Sequence, residues 1–187
     1  MGASGLEAKR NGATVFSPNR MTQGALVFGF VGKFALAAAA SGVLPFASVQ
    51  ANSAPVVTAG RSFVCTPIAV WDGDGPIWCA EGPKIRIAGI AAREIDEKCR
   101  PGQPCPAVSG VEARDRLVAL LGGARGKLST GHIKVRSAAM TCVSDGVGRG
   151  DRTAAWCRSP DVGDLSCAVV QNGGAVRWPQ FWRDHRC

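Results

Sequence analysis

Tyrosine is absent from this 187-residue chain, histidine occurs only as His132 and His185, and no two cysteines stand in a Cys-x-x-Cys spacing. Structural zinc sites draw on close ligand pairs, so these absences argue against a zinc-organised fold. No internal repeat and no low-complexity block interrupts the sequence, which leaves one domain's worth of chain once an N-terminal segment is set aside. Acidic residues are the minority, 14 Asp+Glu against 22 Lys+Arg, for a formal charge of +8. A basic surplus favours polyanionic partners through steering and counterion release. Cysteine is missing from the whole first third.

What is there begins with the cysteines. Cys65, Cys79, Cys99, Cys105, Cys142, Cys157, Cys167 and Cys187 form an even set confined to the later part of the chain. That usage reads as a disulfide framework in an oxidising compartment. Cys99 and Cys105 enclose a Pro/Gly-rich loop and make a plausible local pair, while the remaining pairing stays open. The first 51 residues read as an export segment. Lys9, Arg10 and Arg20 precede an apolar stretch from Ala25 to Ala47, and Val49-Gln50-Ala51 has the small residues that signal peptidase accepts. Lys33 inside the apolar run is costly in lipid, so cleavage near Ala51 is favoured over an uncleaved membrane anchor. Met1 and Met21 both stand as starts. Residues 52–61 read as a loose linker and 62–187 as the domain. Periplasmic or secreted localisation is expected.

Along the domain, residues 62–71 have a strand pattern and Asp72-Gly73-Asp74-Gly75-Pro76 a turn signal, after which Ile77 to Ala80 can return as a hairpin arm. Lys84-Ile85-Arg86-Ile87-Ala88-Gly89-Ile90 alternates as a third strand, sending Arg86 to the side opposite Ile85 and Ile87. Ser109 and Glu112 have capping-box spacing for a helix that Gly122-Gly123 ends. Residues 132–136 read as a fourth strand, 144–151 as a loop, and 152–157 as a fifth strand. Residues 164–171 read as a second helix, closed by Asn172-Gly173-Gly174. The two glycine pairs are helix stops, not phosphate loops. The order of elements predicts a mixed β/α domain, a small five-stranded OB-type β-barrel with two or three helices and disulfide staples.

Val70-Trp71-Asp72-Gly73-Asp74-Gly75 and Arg86-Ile87-Ala88-Gly89-Ile90-Ala91-Ala92-Arg93-Glu94 resemble the two signature stretches of the thermonuclease (staphylococcal nuclease-like) family. Arg152-Thr153-Ala154-Ala155 looks like its later Gly-Arg-x-x-Ala strand, and the segment from Asp164-Leu165 to Gly173 like its following helix. The resemblance runs in order from about Phe63 to Arg177. It implies hydrolysis of DNA or RNA phosphodiesters assisted by Ca²⁺. Such chemistry needs cationic forks on the phosphate, a carboxylate to direct water, and a hard cation bound by oxygens. Carried over, Asp74 is a metal ligand with Asp72 its neighbour, Arg86 grips the phosphate, and Glu94 orients or deprotonates the water. Arg152 stabilises the transition state or leaving oxygen. Arg149 is a rival for that role, with Arg152 preferred because it directly precedes the alternating strand.

The departures fall on the metal side. Ala91 stands where the family has its second metal-binding Asp, Ala92 where it usually has Thr, Arg93 where it has Pro, and Gly75 where Thr commonly follows the turn. A methyl group binds no cation, so weakened or altered Ca²⁺ dependence is expected. An EF-hand is excluded, because Gly75, Pro76 and Ile77 occupy the next ligand positions. Arg93, Arg149, Trp178 and Trp182 are candidate nucleic-acid contacts, the tryptophans by stacking, although aromatics near a chain end also serve packing. A monomer acting on single-stranded DNA or RNA, with no small-molecule cofactor, is the leading expectation. A non-catalytic nucleic-acid-binding OB module and a disulfide-stapled interaction protein are the alternatives.

Overall fold

The alternation seen in the sequence becomes a largely antiparallel sheet, in a computed structural model that describes residues 55–187. The expected export segment, its cleavage point near Ala51 and the start of the linker lie outside the described residues. Ten strands are described: β1 (Ser62–Cys65), β2 (Pro67–Val70), β3 (Ile77–Cys79), β4 (Lys84–Ile87), β5 (Ile90–Ala91), β6 (Ile133–Lys134), β7 (Met140–Val147), β8 (Arg152–Ser159), β9 (Gly163–Asp164) and β10 (Val176–Arg177). The helices are α1 (Gly110–Leu120), α2 (Leu165–Gln171) and the short α3 (Pro179–Trp182).

The main sheet runs β1-β7-β8-β4-β3-β2-β6, with β9 appended to β8, and β10 pairs with β5 in a separate ribbon. Hydrogen bonding leaves this path open, so the fold is a sheet-rich α/β arrangement, and closure into a five-stranded barrel is not established by strand pairing alone. Strands β4 and β8 run parallel, with Lys84 beside Arg152 and Arg86 beside Ala154. This register puts Arg86 and Arg152 on one face, away from the buried Ile85 and Ile87.

Three expectations change. Residues 144–151 do not form one loop, because β7 extends to Val147 between β1 and β8. β8 pairs with it from Thr141 to Val147 and β1 only from Met140 to Val143, and the register shift between Ser144 and Gly146 is absorbed where Gly146 takes φ 102°. The expected fourth strand, 132–136, shrinks to Ile133–Lys134 against β2. Part of the expected linker is tied down: Val57 N donates to Thr153 Oγ1 at 3.0 Å, and Gly60 N donates to Ser144 O at 2.8 Å.

Helix α1 begins with half of the expected capping box: Ser109 Oγ accepts from Glu112 N at 3.1 Å, while the Glu112 carboxylate turns instead to Arg116 at 2.6 Å. Ala113, Leu117, Val118 and Leu121 go into the core with Ile85, Ile87, Ile90 and Leu165. All eight cysteines pair, as Cys65–Cys79, Cys99–Cys105, Cys142–Cys157 and Cys167–Cys187. The first joins β1 to β3, the third crosses β7 to β8, and the last ties α2 to Cys187. Among the described residues no helix is long and apolar enough to cross a membrane. Four disulfides are compatible with an exported protein.

Candidate functional site

Two contacts of α1 position the acidic residues of the site. The Asp72-Gly73-Asp74 turn lies against its first turns, so closely that a Cβ on Gly73 would come 2.7 Å from Ala113 Cβ and 2.8 Å from Ala92 Cβ. At the start of the helix, a Cβ on Gly110 would come 2.0 Å from the Glu94 carbonyl oxygen. Both positions are therefore confined to glycine by close approach. The Glu97 carboxylate accepts from Gly110 N with both oxygens, at 3.1 Å each, and binds the 94–97 turn to the helix start.

Arg86 reaches from β4 to this corner. Its Nη2 donates to Asp74 Oδ2 at 2.8 Å and to Ile90 O at 3.3 Å, and Ala92 N donates to the same Asp74 oxygen at 3.1 Å. Burial raises the Asp74 carboxyl, while Arg86 and the Ala92 amide favour its ionised form. Asp72 sits deeper. Burial first, then the Asp74 and Glu94 carboxylates, push it well above the ordinary 3.8. Its Oδ1 accepts from Asp74 N at 3.2 Å, a local turn bond.

Asp74, Arg86, Glu94, Arg149 and Arg152 line a single cavity of about 300 Å³, together with Trp178. Small residues leave the room: Ala154 stands opposite Arg86, and a Cβ on Gly148 would come 2.8 Å from Ala154 N and 3.1 Å from Arg86 Cβ. The Arg86 guanidinium lies 5.5 Å from the Trp178 ring centre, and Trp178 meets Phe181 edge-on at 4.8 Å. Arg152 Nε donates to Arg149 O at 3.1 Å, so the rival arginines occupy one corner.

The remaining candidates are elsewhere. Asp72 does not line the cavity; it is buried behind the turn. Arg93 faces the 97–108 loop, donating to Val108 O, Glu97 O and Pro106 O at 3.2, 3.0 and 2.8 Å. A guanidinium holding three carbonyls organises backbone. Trp182 is buried against Trp156 and His185 and contacts Arg177, so it is a packing residue.

Sequence reasoning missed Arg100, Gln103 and Asp145, which also line the cavity. Arg100 Nε pairs with Glu94 Oε1 at 2.6 Å. Gln103 Nε2 donates to Ala92 O at 2.6 Å, tying the disulfide loop to the end of β5. Only the position of Arg100 and Gln103 inside the Cys99–Cys105 interval hinted that they are held in place.

The donors do not fit a preassembled Ca²⁺ site. Ala91 is fully buried in the β5–β10 ribbon, and Asp74 Oδ2 already accepts two bonds. Asp72, Asp74 and Glu94 do not gather as a metal cluster. Among the described residues the group that does is Asp164, Cys167 and His185, with ligand atoms within 4.8 Å of one another. Cys167 is consumed there by its bond to Cys187, and a disulfide sulfur is no thiolate ligand. No family model matches the chain, and neither a curated protein nor a solved structure matches it.

Proposed function

We propose that the domain is an exported, thermonuclease-like phosphodiesterase that takes single-stranded DNA or RNA into the Arg86 cavity. The observation carrying this reading is the convergence of Asp74, Arg86, Glu94 and Arg152, distant in sequence, on one concave surface. Its volume of about 300 Å³ lies at the lower end of small-ligand pockets, enough for one nucleotide unit rather than a duplex. The fold supports the same reading. Strands β1 and β2 are separated by Thr66 alone, so one bent segment pairs with β7 at one end and β3 at the other. With the parallel β4–β8 pair, that continuity is how an OB-type barrel would close.

In this reading Arg86 and Arg152 hold the non-bridging phosphate oxygens and the charge that grows on them. Glu94 accepts a proton from water, the water oxygen bonds to phosphorus, and the bond to the leaving alkoxy oxygen breaks, that oxygen taking a proton from solvent. Trp178 and Phe181 offer faces to a neighbouring base. No step is routed through Ca²⁺, for which the donors are poorly matched.

The test is cleavage of end-labelled single-stranded DNA and RNA by the purified domain, with Ca²⁺, with Mg²⁺ and with chelator. Glu94→Gln lowers the rate by about 100-fold or more, the usual scale for removing a general base. Unchanged rates in both Glu94→Gln and Arg86→Ala remove these side chains from the chemistry. A second reading, binding without cleavage, draws on the Glu94–Arg100 ion pair, which occupies one of the two carboxylate oxygens. It predicts a retarded oligonucleotide and no shortened product.

A further inference from the structure

We propose that Arg100 supplies, beside Glu94, the positive charge that a divalent cation supplies in thermonuclease-like sites, so that the cavity binds phosphodiesters without a metal. The inference rests on the functional reading above and goes beyond it by naming the group that replaces the cation. Three observations carry it. The carboxylate position that would complete a cation site is the buried methyl of Ala91. The remaining inner carboxylate, Asp74, is already neutralised by Arg86 at 2.8 Å. Arg100 lines the same cavity with its Nε 2.6 Å from Glu94 Oε1 and its side chain 39% exposed, which leaves its terminal N–H groups to meet an entering anion.

The loop carrying Arg100 is built to hold it there. The Cys99–Cys105 bond closes the segment, Gln103 bonds the Ala92 carbonyl, and Arg93 gathers the Glu97, Pro106 and Val108 carbonyls beneath it. A planar guanidinium so placed offers a fork matched to a phosphate, which a hydrated surface lysine does not. With Arg86, Arg149 and Arg152 it brings four arginines to the cavity lining, against the three acidic residues Asp74, Glu94 and Asp145.

The experiment measures the Kd of a fluorescent, phosphorothioate-linked single-stranded DNA 12-mer by anisotropy, in EDTA and in Ca²⁺, for the wild-type domain, Arg100→Gln and Arg100→Lys. Wild type is expected to bind equally in both buffers. Arg100→Gln is expected to bind about tenfold more weakly, with a salt slope lower by about 0.7, the value for one single-strand phosphate contact. Arg100→Lys recovers part of the affinity and the whole slope. Equal melting temperatures show that the variants fold. Wild-type binding that vanishes in EDTA and returns with Ca²⁺ overturns the inference and leaves the phosphodiesterase reading standing. So does Arg100→Gln binding as tightly as wild type in EDTA. No binding in either buffer overturns both.

Discussion

Two turns deliver carboxylates to the same cavity, and they are held in opposite ways. The Asp72–Asp74 turn is pressed between α1 and the end of β5, with both aspartates buried. The segment from Glu94 to Cys105 lies at the rim, where covalent closure, a glutamine and an arginine replace burial as the restraint. The inner corner obtains rigidity at an electrostatic cost, because its charges are desolvated and depend on one partner. The rim keeps Glu94 and Arg100 within reach of water and ligand. Buried charge and solvent-accessible charge are thus separated across a single cavity.

The sharpest way to break that comparison is to truncate one arginine on each side. Arg86→Ala leaves Asp74 buried beside an empty space and is expected to lower unfolding free energy by about 3 kcal/mol or more. Arg100→Ala removes a partly exposed pair and is expected to change it by about 1 kcal/mol or less. Urea unfolding of the two variants measures both values. Equal losses would mean that the rim is as structural as the inner corner.

A smaller effect is expected from opening the rim loop. A double Cys99→Ser, Cys105→Ser variant loses closure of a short loop, on the order of 2 kcal/mol by the chain-entropy model. Its melting temperature falls while its affinity for oligonucleotide falls further than stability alone accounts for, since Arg100 is no longer held against Glu94. Affinity that tracks the folded fraction alone would show that the disulfide does not position the arginine.

What the sequence revealed follows the same division. Alternation in 84–90 placed Arg86 opposite its apolar neighbours, and parallel pairing of β4 with β8 then set Arg152 on the same face. The capping residues of α1 and the glycine stop after it were readable because they act through local backbone geometry. The end of strand β7 was not readable, since Ser144, Asp145 and Gly146 have poor strand propensity and are held extended by β8, with Gly60 and Arg61 bonding Ser144 on the other side. Arg93 misled, because a motif position says nothing of which carbonyls surround a side chain. Arg100 escaped notice for a related reason. It lies in an irregular loop, where no periodicity assigns a face, and only tertiary folding brings it to Glu94.

The finest probe of the inner corner is Asp72→Asn. The folded chain holds Asp72 well above its ordinary value of 3.8, through burial and the Asp74 and Glu94 carboxylates. Between the unfolded and folded values the native state therefore binds more protons than the unfolded chain, and stability contributed by this group falls as pH rises through that window. Asparagine keeps an oxygen able to accept from Asp74 N but carries no charge to desolvate. The variant should match wild type below the ordinary carboxylate value, where Asp72 is protonated in both states, and exceed it in melting temperature above the window. Cavity affinity should stay level, since Asp72 does not line it. A melting-temperature difference that is the same at every pH would mean that Asp72 acts through its shape and not its charge, and the electrostatic cost assigned to the inner corner would then lie with Asp74 and Arg86 alone.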